Sequence, residues 1–163
     1  NLCLVDPDNR RPVDYARRRA ILRELAARDD DPRGRALDLL ERWRDGAVKL
    51  FVTHACLGLR KRRRALCLEG SYAPITSRGA EEHVVAFARA RGDESVVAVA
   101  ARLSYTLMNG APYFPVGDAW KDASLPVPPG VWRDALTGAR FEGGDVPLRE
   151  MLAVLPVAVL ERG

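Results

Sequence analysis

Asp6, Asp8 and Asp14 lie within ten residues of one another in the stretch Asp6 to Tyr15, DPDNRRPVDY. Two carboxyl groups about 5 Å or about 9 Å apart can break a glycosidic bond, one as acid and the other as nucleophile or base. The same residue types also cap helices and close turns. Asp14 stands just before an amphipathic run and suits a cap. Asp8 remains open between the two roles. Cys3, Cys56 and Cys67 are odd in number and lack CxxC spacing, so neither a disulfide framework nor a zinc site is expected. His54 and His83 sit apart in apolar stretches, and each reads as a partly buried structural histidine rather than a ligand. No metal is expected.

Other chemistry finds less support. No Gly-x-Gly-x-x-Gly or P-loop pattern occurs, and no cofactor is implied. Ser104 and Ser124 lack a nucleophile elbow and a companion histidine. The cluster Arg60 to Arg64, RKRRR, is dense enough for a polyanion. Aromatic residues make up only 7% of the chain, which is poor for stacking bases, so a solvated helix end is expected and no nucleic-acid partner.

The elements that must position these residues change character at Gly70. Residues 1–70 hold 17 basic and 11 acidic side chains, a balance of +6, and residues 71–163 hold 9 and 11, a balance of −2. Before Gly70 the apolar spacing is helical. Tyr15 to Ala27 reads as one amphipathic helix capped by Asp14. Asp31 before Pro32 caps a second, running past Leu37, Leu40 and Trp43 to Asp45-Gly46. A third should span about Ala47 to Leu66, with Leu50, Phe51, His54 and Leu57 facing inward.

Beyond Gly70 come short apolar runs and most of the 11 prolines. Strands are expected at Tyr72 to Thr76, His83 to Arg89, Ser95 to Leu103, near Ala119 to Leu125, around Val131 to Asp134, and at Val157 to Leu160. Arg91 to Glu94 should form a hairpin turn. Thr137-Gly138 and Gly143-Gly144 read as further turns, and Leu148 to Val154 as one short helix. No apolar run approaches the roughly 20 residues needed to span a bilayer, so no membrane partner is expected. The opening Asn1-Leu2-Cys3-Leu4-Val5 has neither an initiator Met nor a leader pattern, and the chain reads as cut from something longer. A reducing cytoplasm suits the cysteines.

LVDPDNRRPVDY, Leu4 to Tyr15, resembles the segment after the last barrel strand in malto-oligosyltrehalose synthases of the alpha-amylase superfamily. AVKLF (Ala47 to Phe51), Glu69 to Tyr72, His83 to Arg89, WRDALTG (Trp132 to Gly138) and LAVLPVAVL (Leu152 to Leu160) are similar in the same order. The resemblance implies an α+β piece of a larger enzyme: residues 1–68 as the last loop and terminal helices of a TIM (β/α)8 barrel, and residues 69–163 as a small antiparallel β-sandwich. It implies intramolecular transglucosylation, in which the reducing-end alpha-1,4 bond of a maltodextrin becomes an alpha,alpha-1,1 bond. The catalytic carboxylates are implied upstream of Asn1, leaving none in this chain.

Barrel sites are built by loops at the C-terminal face, which makes Asp8, Asn9, Arg10 and Arg11 the expected substrate-binding residues. Arg10 and Arg11 stay open between sugar contact and pairing with barrel carboxylates. Trp120 and Trp132 stay open between glucan contact and core packing. The expected partner is a maltooligosaccharide, met through the whole enzyme. A stand-alone carbohydrate-binding or nucleic-acid-binding module is the rival reading. Helices that evolved to cover a barrel would expose apolar faces without it and pair with a second copy.

Overall fold

A computed structural model describes residues 13–27, 31–111 and 113–162. The helical half begins with α1 (Tyr15–Ala27), whose first turn is closed by Asp14 Oδ1 accepting from the Arg17 amide at 2.8 Å. α2 (Pro32–Glu41) has Asp31 as its cap, accepting from the Arg33 and Gly34 amides at 3.1 and 3.0 Å. Pro32 follows where its missing N–H costs nothing. A 3-10 turn (Trp43–Asp45) ends at Gly46, whose φ of 79° lets the chain reverse into α3.

The third helix is shorter than its apolar spacing predicts. α3 covers Ala47–Arg62, the chain breaks helical geometry at Arg63 (φ −108°, ψ 44°), and α4 (Arg64–Glu69) follows. Its inward face also differs: Ala47, Val48, Phe51 and Leu59 are buried, while His54 is exposed and Leu57 is 58% exposed. The buried stripe packs against Leu25 of α1 and Ala36 and Leu39 of α2. His54 is therefore a surface residue, and His83 alone of the two is partly buried.

The second half is a single six-stranded antiparallel sheet in the order β1-β2-β3-β6-β4-β5. The strands are β1 (Ala73–Ile75), β2 (Val84–Arg91), β3 (Glu94–Ala101), β4 (Ser124–Asp134), β5 (Arg140–Pro147) and β6 (Val157–Arg162). β2 and β3 form the expected hairpin, with Arg91 opposite Glu94 across a two-residue turn. Where a sandwich of two sheets was anticipated, the one sheet curls instead. Arg78, just after β1, exchanges backbone hydrogen bonds with Ser124 at the head of β4, at 2.8 and 3.0 Å.

β4 tolerates Pro126, Pro128 and Pro129 because only its last residues, Trp132–Asp134, pair with β6. Beyond the Ser124 bridge to Arg78, its earlier part pairs only with β5, and the register slips between Val127 and Val131. A proline costs no ladder bond on an unpaired side or in a bulge. Gly143-Gly144 lies inside β5 and is not a turn. A Cβ on Gly143 would sit 2.1 Å from the Pro128 carbonyl oxygen, so the bulge demands a glycine opposite it. The stretch expected as a strand from Ala119 is a 3-10 turn (Gly117–Trp120) leading into β4, and the expected helix from Leu148 is only the single turn Leu148–Met151.

Two apolar cores flank the sheet. Inside the curl, Val97, Val99, Ala158 and Leu160 pack with Trp120, Leu125, Trp132 and Leu148. On the other face, Val96, Val159, Val154, Leu155 and Leu136 pack with Leu25, Leu39, Phe51, Leu59 and Leu66 from the helices. β3 and β6 are thus covered on both sides, which is why they read as unbroken apolar runs without alternation. The helices before Gly70 and the sheet after it share one core. The loop after β3 is tied to the helical side by Phe114, whose ring meets Trp43 edge to face at 5.5 Å.

Candidate functional site

Asp8, Asn9, Arg10 and Arg11 lie outside the described residues, as do Cys3 and Asp6. Among the described residues an open cleft of about 430 Å³ lies where the start of α2 meets the end of α3 and the ends of β4 and β6. Its lining includes Pro32, Gly138 and the charged side chains of Arg62, Arg133, Asp134, Glu161 and Arg162.

Asp134 belongs to the stretch Trp132 to Gly138 and is 1% exposed. Its Oδ1 accepts from the amides of Leu136 at 3.2 Å and Val159 at 3.0 Å. Its Oδ2 accepts from the Thr137 amide at 3.1 Å and the Thr137 hydroxyl at 2.5 Å. A buried carboxylate with both oxygens engaged is an anchor for the turn Ala135 to Gly138. It holds no free lone pair aimed at a substrate. Burial first, and the Asp134 charge second, push the Cys56 thiol above its ordinary range, so Cys56 is a poor nucleophile.

Glu161 is occupied as well. Its Oε1 accepts from Arg62 Nη2 at 2.8 Å and its Oε2 lies 3.7 Å from Arg63 Nε. Arg63 Nη1 donates in turn to Glu94 at 2.7 Å. Two members of the basic cluster are therefore clamps between the helices and the strands, whereas Arg60, Lys61 and Arg64 face solvent. Sequence reasoning could not assign that division, because Glu94 and Glu161 lie 31 and 99 residues from their partners.

Trp120 and Trp132 are core residues, 2% and 0% exposed. Their indole N–H groups donate to the carbonyls of Pro115 and Pro128, both at 2.9 Å. Stacking of either ring on a glucan is excluded by that burial. Among the described residues no group of three or more His, Cys, Asp or Glu side chains is placed to hold a metal, and no helix is long and apolar enough to cross a membrane.

Helices sealed onto one face of a curled antiparallel sheet make a small α+β unit of the kind found within a trehalose synthase. Over 98% of its length the chain is similar to maltooligosyl trehalose synthases, as its motifs imply. It is 39% identical to proteins of two Mycobacterium tuberculosis strains provisionally named maltooligosyl trehalose synthase. It is 33% identical to the solved maltooligosyltrehalose synthase of Arthrobacter ramosus, and superposes on it with a TM-score of 0.70. A mutant of that enzyme matches equally well. The chain spans 17% of the length of the curated relatives and 18% of the solved chain. No family model matches it.

Proposed function

We propose that this chain forms the C-terminal part of a malto-oligosyltrehalose synthase, a cytoplasmic isomerase of trehalose biosynthesis acting on maltooligosaccharides. The parent enzyme converts the reducing-end alpha-1,4 bond to an alpha,alpha-1,1 bond by intramolecular transglucosylation. Its nucleophile and its acid/base carboxyl lie outside this chain, so the chain alone is inactive. Similarity at 33 to 39% identity over 98% of the chain, against 17 to 18% of the relatives, is the observation that supports this reading.

In this proposal residues 1–68 close the catalytic TIM barrel and residues 69–163 form the C-terminal domain. Asp8, Asn9, Arg10 and Arg11 reach the sugar from the last barrel loop. Asn and Arg suit that place because they fork hydrogen bonds to neighbouring hydroxyls. The site must hold the released glucose and exclude water, so that the glucose and not water attacks the glycosyl-enzyme. Leu37, Leu57 and Leu68 are exposed on the helices, and without a barrel over them they would pair with a second copy.

The test is a comparison on maltohexaose of the protein made from its full reading frame with the 163-residue chain. The full protein should consume reducing ends without releasing an equal amount of glucose, and the chain should do nothing. Turnover by the chain alone, or only hydrolysis by the full protein, would sink the reading.

A further inference from the structure

Among the described residues, three arginines (Arg62, Arg133 and Arg162) line the cleft beside Gly138 against two carboxylates, Asp134 and Glu161. Register places Arg133 opposite Arg140 on β5 and opposite Glu161 on β6. Arg133 and Arg140 are therefore like-charged cross-strand neighbours on one face of the sheet, a pairing that is unfavourable by itself. Glu161 is taken by Arg62 and Arg63, and Asp134 gives both oxygens to the turn amides, the Thr137 hydroxyl and Val159. Asp31, at the start of α2, accepts from the Arg33 and Gly34 amides. Among the described residues neither Arg133 nor Arg140 has a carboxylate within ion-pair distance.

The Arg133 guanidinium lies beside the turn glycine at the cleft wall. Its Nη2 is 3.7 Å, and the Pro32 ring 3.8 Å, from where a Cβ on Gly138 would stand, so the glycine leaves room between helix and turn. We propose that this cleft binds a small oxyanion of the phosphate class, held by Arg133, Arg162 and Arg62, which line it, and by Arg140, the cross-strand neighbour of Arg133. Guanidinium forks match the oxygens of such an anion two at a time. Because Arg62 belongs to α3 and Arg133 to β4, the bound anion ties the helices to the sheet and stabilises the folded state by mass action.

The experiment is thermal unfolding of the protein made from its full reading frame, titrated with inorganic phosphate while chloride keeps ionic strength constant. Tm should rise and saturate with phosphate. R133Q and R140Q should each weaken the apparent phosphate affinity about tenfold or more, the loss expected for one charged hydrogen-bonding group. R133K, which keeps the charge and loses the fork, should fall between R133Q and the parent. Line broadening of the phosphorus resonance by the protein, reduced in R133Q, reads the same contact without relying on Tm. An equal rise with chloride, an unchanged response in both glutamine variants, or equal potency of acetate would each overturn the proposal.

Discussion

The Asp134 carboxylate at the end of β4 accepts a hydrogen bond from the backbone amide of Val159 in β6, 25 residues on, at 3.0 Å. The same oxygen closes the turn at Leu136, so one side chain ties the β4–β5 connection to the strand at the centre of both cores. D134A leaves three buried or half-buried amides and one hydroxyl without their acceptor. At about 1 to 3 kcal/mol for each unsatisfied buried group, with some rescue by water, D134A should cost about 3 to 5 kcal/mol in a urea melt. D134N keeps one carbonyl oxygen and should cost about half as much. Equal stability of D134A and the parent would show the carboxylate to be dispensable.

Arg63 joins the break between α3 and α4 to Glu94 and Glu161. These side chains are partly exposed, so a double-mutant cycle of R63M with E94Q should give a coupling of only about 0.5 to 1 kcal/mol, shrinking in 1 M salt. A coupling that salt leaves unchanged would mean that the pair acts by packing rather than by charge.

Gly143 faces the bulge of β4 with no space for a methyl group. G143A must push the Pro128 carbonyl aside or break the β4–β5 register, at a cost of about 2 kcal/mol or more. G92A, at a turn with nothing within 4 Å, meets only the backbone penalty of its φ of 57° and should cost about 1 kcal/mol. Circular dichroism melts of the two variants check the order, and G92A as the worse of the pair would contradict it.

Cys56 is half-buried with its thiol pKa raised, first by burial and then by Asp134. Less thiolate is present at a given pH than in the unfolded chain, so alkylation at pH 8 should be several-fold slower in the folded protein than in urea. The folded thiol binds its proton more tightly than the unfolded one. Its contribution to stability is therefore complete below the unfolded thiol pKa and is lost as pH rises through the folded value. In D134N the thiol pKa should fall, and Cys56 should react faster. No change in rate would remove Asp134 as a cause.

How much of this was legible in the chain depends on the reach of each signal. Asp14 and Asp31 cap the helices that follow them because a cap is a bond between residues two or three apart. Arg91 to Glu94 turns a hairpin for the same local reason. Gly143-Gly144 misled because a glycine pair serves a turn and a bulge equally well, and the bulge belongs to Pro128 on another strand. The inward face of α3 misled because Leu57 and Leu59 are alike in type. Only the position of α1 and of the sheet decides which is covered. The substrate-binding expectation at Asp8 to Arg11 lies outside the described residues and rests on the motif.

The amino-acid sequence by itself determined that the first half is helical, the caps of α1 and α2, the β2–β3 hairpin and the resemblance to a trehalose-forming synthase, since each rests on residue types at short or colinear spacing. The tertiary structure alone decided that the sheet is single and curled, and that Trp120 and Trp132 are buried. It also decided that Arg62 and Arg63 are clamps, and that Arg133 and Arg140 share one face beside a cleft. Those features are pairings between segments tens of residues apart. They follow from which strand edges hydrogen-bond and which apolar faces must leave water together, and no local pattern encodes that choice.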